Sequence, residues 1–190
     1  MTDQVLHLKR RRMLSALGVC CIAWSSRILA QGVMMDFTLP ATMRDCWIVN
    51  DGVMGGVSQS GLRHDPQGMI FEGQVSLENN GGFASMRSPA RFETETQVLE
   101  LTTRGDGKRY KLILRTETAV RVTYESDFVS EATWHTHRFT TSQFIASFRG
   151  RSVQAPPLSF SDVIELGILI ADKQEGSFRL QLKTIKSFKQ

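Results

Sequence analysis

Hydrophobic and polar positions alternate along most of this chain. The run Phe71-Glu72-Gly73-Gln74-Val75-Ser76-Leu77-Glu78 changes character nearly residue by residue, which predicts a strand over 69–78. Asn79-Asn80-Gly81-Gly82 is turn chemistry, and Phe83 to Ser88 reads as a second strand, so the two predict a hairpin. Further strands are predicted over 97–103, 109–115, 120–125 and 133–139. Arg104-Gly105-Asp106-Gly107-Lys108 makes a turn, Ser142 to Phe148 suits one helical turn, and Arg149 to Pro157 is a loop. Val163 to Ala171 is almost continuously apolar, as a core-lining strand is. Phe178, Leu180, Leu182 and Ile185 mark a last strand. No long segment after the N-terminus carries a helical period. About eight or nine short strands at this spacing predict an all-β antiparallel sandwich or jelly roll.

Charge is unevenly placed. Residues 1–30 hold five of the 23 Lys and Arg and one of the 19 Asp and Glu, so the remainder is formally neutral. A neutral domain argues against nucleic acid as a partner. Lys9-Arg10-Arg11-Arg12 followed by the apolar run Met13–Trp24 predicts an N-terminal export signal over 1–30, with cleavage after Ala30. Arg10-Arg11-Arg12-Met13-Leu14 also resembles the twin-arginine export pattern. The expectation is an exported, periplasmic domain over 31–190, not itself membrane-spanning once the signal is cleaved; an uncleaved N-terminal membrane anchor is the alternative. Cys20 and Cys21 fall in the signal, which leaves Cys46 without an internal disulfide partner, as a small buried hydrophobe.

Trp47 to Ser58 stands apart from the alternation. It holds Gly52, Gly55 and Gly56, the turn-forming Asn50-Asp51-Gly52, and Trp47 with Met54 as apolar anchors. It reads either as a built functional loop or as a tight turn beside a buried Trp. Other chemistry is sparse. His135 and His137 share a strand face but lack further ligands and read as solvent-facing, and Glu93 and Glu95 read as a solvated strand edge. The sequence carries no phosphate loop, dinucleotide fingerprint, HExxH, CxxC or nucleophile elbow. No catalytic residue, metal ligand or cofactor site is expected.

Trp47 through Ser58, Phe71-Glu72-Gly73, Asn79 to Ser85 with Arg87, Arg104 to Gly107, Tyr110, Trp134, Phe139, Phe144, Arg149-Gly150, Ile168 to Asp172 and Gly176-Ser177-Phe178 occur in one order over about 36–188. In this the chain resembles the complex I intermediate-associated protein 30 family. The resemblance implies a galactose-binding-domain-like β-sandwich. It also implies a non-catalytic assembly factor that binds protein partners, a membrane complex among them, during assembly of NADH:ubiquinone oxidoreductase. The familiar members act in the mitochondrial matrix, whereas this chain reads as exported. Trp47, Asn50, Asp51, Met54, Gly55, Gly56, Ser58, Gly82, Phe83, Arg87, Arg104 and Asp106 are the expected binding patch. Asp51 and Asp106 carry a rival expectation, that they accept backbone N–H groups or pair with Arg87 or Arg104 to lock loops. A carbohydrate or other small ligand, stacked on Trp47 or Trp134, is the alternative to a protein partner.

Overall fold

A computed structural model describes residues 31–189, so the expected export signal lies outside the described residues. Two antiparallel sheets enclose one core. The first has the order β3 (Gln59–Asp65), β4 (Gly68–Val75), β13 (Gly176–Lys189), β6 (Thr96–Gly105) and β9 (His135–Phe139). β1 (Gln31–Asp36) joins it beside the C-terminal half of β13, pairing Asp36 with Thr184 where β4 leaves off at Leu182. The second sheet runs β11 (Arg151–Ser152), β10 (Ile145–Phe148), β8 (Thr123–Val129), β7 (Arg109–Thr116), β12 (Val163–Ile170), β5 (Ala84–Pro89) and β2 (Trp47–Asn50). One short helix, α1 (Pro40–Arg44), precedes β2. The expected all-β antiparallel sandwich is the fold.

Alternation explains which side chains meet. Phe71 on β4 and Leu180 on β13 are register partners that point inward, as are Leu112 on β7 and Ile168 on β12 in the facing sheet. Aromatic rings tie the sheets together: Tyr110 on β7 meets Phe178 on β13 edge-on at 6.5 Å, and Phe128 on β8 meets Phe139 on β9 edge-on at 6.1 Å. The last strand breaks period two between Leu182 and Ile185. A bulge at Lys183 absorbs the extra residue and keeps both side chains buried. The same Lys183 carbonyl accepts the Phe37 N–H at 2.9 Å.

Several expectations are corrected. β4 and β5 are not a hairpin; they belong to different sheets, and Leu77–Phe83 carries the chain across. A turn-rich segment serves a crossover as well as a hairpin, and alternation does not name a strand's neighbour. The hairpin is instead β3–β4, closed where Asp65 faces Gly68. Residues 118–121 form a turn, so β8 starts at Thr123. Thr141–Gln143 is the helical turn and Ile145–Phe148 is strand. Glu93 and Glu95 share no strand face: both lie in the loop before β6, Glu95 at φ +75°, and Glu93 pairs with Lys189 at 2.7 Å. Cys46 is only partly buried. Its thiol lies 3.4 Å from the Thr42 carbonyl, and burial pushes its pKa up to about 11.

Candidate functional site

β2 ends at Asn50, and a single 3-10 turn, Asp51–Met54, follows. Gly55 closes the turn at φ +91°, a left-handed conformation that glycine adopts without strain. Asp51 is fully buried. Its Oδ1 accepts the Ser58 N–H at 2.9 Å, and its Oδ2 accepts the Ser58 hydroxyl at 2.5 Å, the Gly82 N–H at 2.7 Å and the Phe83 N–H at 3.3 Å. Its own backbone N–H donates to the Phe83 carbonyl, and its carbonyl accepts the Gly56 N–H. The Ser58 oxygen extends the network by accepting the Ser76 N–H at 3.0 Å. One carboxylate therefore joins the loop between β2 and β3 to the crossover before β5.

Burial by itself raises the Asp51 pKa, but donors from Ser58, Gly82 and Phe83 outweigh it and hold the carboxyl below its ordinary value. Two glycines make room for it. A Cβ on Gly56 would collide with the Asp51 carboxyl, and one on Gly81 would lie 2.5 Å from its Oδ2. Asp51 thus fastens the fold, as the rival expectation had it, and its carboxylate is not offered to solvent.

What the fastened loop does offer is apolar. Val53 is 74% exposed, Met54 57%, Val57 45% and the neighbouring Trp47 41%. From Trp47 to Leu62 the only charged residue is the buried Asp51. These exposed side chains stand on a backbone held in place by charge-assisted hydrogen bonds. Val53 and Val57 are absent from the sequence-based patch, because nothing in their sequence context distinguishes exposed valines from buried ones.

The remaining expected residues do not gather into one patch. Asn50 accepts a hydrogen bond from Ser60 Oγ at 2.7 Å, and Gly82 and Phe83 serve the Asp51 junction. Arg87 lies opposite Trp47 across β2 and β5, on the outer face of its sheet, and pairs with Glu165 at 2.9 Å. Arg104 lies on the outer face of the other sheet. It donates to Gln181 and Gln67 at 2.8 Å each and covers the Trp134 ring at 4.8 Å, where Lys183 also sits at 5.4 Å. Trp134 is therefore half-buried beneath two cations.

Asp106 makes a second junction at the same end of the sandwich. It accepts the Tyr110 hydroxyl at 3.1 Å, the Arg179 N–H at 2.8 Å and the Lys108 N–H at 3.1 Å. Burial and the adjacent carboxylate push the Tyr110 pKa up. Sequence reasoning also missed the Lys111 cluster, in which Nζ lies 3.3 Å from Glu125, 3.6 Å from Asp127 and 3.3 Å from Asp172. His135 pairs with Glu131, while His137 packs against Phe128 at 4.7 Å and has its pKa lowered by burial. That half-buried ring corrects the expectation that both histidines face solvent. Among the described residues no group of three His, Cys, Asp or Glu is arranged to hold a metal ion.

Similar folds occur among sugar-binding modules. A family 11 carbohydrate-binding module from Clostridium thermocellum, solved with a β-1,3-1,4-mixed-linked tetrasaccharide, superposes with a TM-score of 0.57 at 12% identity, covering 84% of this chain and 95% of that one. A mutant carbohydrate-binding module of family 29 superposes with a TM-score of 0.51 at 12% identity, over 84% of this chain and 92% of that one. At such identity the likeness is one of fold. No curated protein matches the sequence at a significant level. Residues 35–182, however, match the family described as complex I intermediate-associated protein 30. That match contains both carboxylate junctions and every strand from β2 to β12, and the chain belongs to this family.

Proposed function

We propose that this chain is a non-catalytic protein-interaction domain of the assembly-factor kind, acting in the assembly of respiratory complex I. The carrying observation is the loop 52–57, where Val53, Met54 and Val57 stand exposed on a backbone locked by Asp51. An interface core wants apolar side chains that need little ordering on binding, and this loop supplies them. Family membership supplies the link to complex I. The basic-then-apolar N-terminus supports export, with a membrane anchor as the alternative; the mass of the mature N-terminus in fractionated cells separates these. The functional test is deletion of the gene followed by native-gel profiling of complex I. The proposal expects a subassembly to accumulate and the intact chain to clear it. An unchanged profile would overturn it.

A second reading, an exported carbohydrate-binding sandwich, has its own support. Trp47 is exposed at one edge of the seven-stranded sheet. On the same sheet, a groove of about 450 Å³ is lined by Lys111, Glu125, Gln143 and Ser147, groups able to hydrogen-bond hydroxyls. Calorimetry against mixed-linkage β-glucan oligosaccharides tests it. Saturable heat lost in Trp47→Ala would support this reading, and silence would remove it.

A further inference from the structure

The edge of the first sheet is guarded unevenly. β3 has seven residues and pairs with β4 alone, which makes it longer than the other terminal strands β1, β9, β2 and β11, of six, five, four and two residues. Asp65 and Gly68 close a two-residue turn, so Arg63, Gly61 and Gln59 exchange their hydrogen bonds with β4. The N–H and C=O groups of Ser60 and Leu62 consequently point to the free side. Among the described residues they take no backbone partner there. The C-terminal half of β3 is guarded by charged Arg63 and by His64, whose ring contacts the Thr38 carbonyl at 3.0 Å. The half from Gln59 to Leu62 has no lysine, proline or bulge, the usual guards of an exposed edge.

At its centre is Gly61. A Cβ there would meet nothing within 4 Å, and its φ is not left-handed, so neither packing nor backbone conformation within one chain calls for glycine. Glycine inside a strand weakens it, and it occurs where another backbone comes close.

We propose that β3 is the pairing edge for a second copy of this chain. Antiparallel pairing about a two-fold axis at Gly61 sets Ser60 opposite Leu62 of the second copy, twice over, and uses their unpaired N–H and C=O groups. The two Gly61 residues then form the non-hydrogen-bonded pair, where Cα atoms approach to about 4.5 Å. Arg63 falls opposite Gln59, and the pairing ends there because the Ser58 N–H is already donated to Asp51; no like charges oppose each other. The interface is isologous and closes on itself.

Sedimentation equilibrium of the full chain across a wide concentration range tests this. The expected mass is twice that of one chain at high concentration. Gly61→Lys and Gly61→Glu each place a charge in open space, so the fold is kept, and circular dichroism checks it. Each variant alone should weaken association by at least about tenfold, and mixing the two should restore it. A wild-type chain of single mass throughout, or variants that associate unchanged, would overturn the proposal. Hydrogen exchange at Ser60 and Leu62 of the wild-type chain gives a second reading. Exchange that slows as concentration rises supports pairing, and concentration-independent exchange refutes it.

Discussion

Gly82 donates its backbone N–H to the carboxylate of Asp51 at 2.7 Å, across 31 positions of sequence. This bond and its neighbours turn two loops from different inter-sheet connections into one rigid corner. Hydrogen bonds to a charged group are worth about 1.5–3 kcal/mol each, and a donor stranded in the interior costs a comparable amount. Asp51→Ala should therefore lower stability by about 3 kcal/mol or more, read as a fall in the urea midpoint at unchanged slope. A loss under about 0.5 kcal/mol, typical of surface positions, would show that the junction is not holding the corner.

The same group gives stability a pH dependence of known sign. Its pKa in the fold lies below the ordinary aspartate value, so the unfolded chain binds the proton more readily. The contribution is complete above pH about 4 and is lost as pH falls through the lower folded pKa. Denaturant curves taken from pH 5 downward should show wild-type stability falling more steeply than that of Asp51→Asn, which has no carboxyl to titrate. Parallel falls would exclude Asp51 as the source.

Glycines in this corner serve different ends, and substitution separates them. Gly56→Ala and Gly81→Ala would drive a methyl into the Asp51 carboxyl and should each cost about 1–3 kcal/mol. Gly52→Ala meets open space at an ordinary φ and should be neutral or stabilising by up to about 1 kcal/mol. Thermal unfolding of the three variants side by side checks the ranking. Equal effects would mean that the corner yields freely.

Much of the fold was legible in the sequence because its strands bury one face. Phe71, Leu99, Leu101, Leu180 and Leu182 announce themselves by period two. β3 did not, since Leu62 is the single apolar side chain among its seven residues, Gln59–Asp65. The sheet to which β4 and β5 belong was hidden for a different reason. Alternation fixes which way a strand faces and leaves its neighbours open. At the site, turn chemistry marked Asn50-Asp51-Gly52 as unusual, but the donors that bury Asp51 come from Gly82 and Phe83, far along the chain. The two arginines of the expected patch look alike in sequence, yet lie on opposite outer faces because Arg87 and Arg104 sit in different sheets.

The proposed docking surface and the lock beneath it should separate by mutation. Val53→Asp and Met54→Asp replace exposed side chains and should leave stability within about 0.5 kcal/mol of wild type. If the loop recognises a partner, both should abolish recognition in spite of the intact fold.

The most direct measurement follows a tagged chain on native gels of solubilised membranes, with complex I subunits detected in the second dimension. The wild-type chain should comigrate with a complex I subassembly, and Met54→Asp, folded and equally abundant, should not. Wild-type chain that migrates apart from every complex I species, or a Met54→Asp chain that comigrates as wild type does, would contradict the assignment of the Asp51-locked loop as the docking surface of an assembly factor.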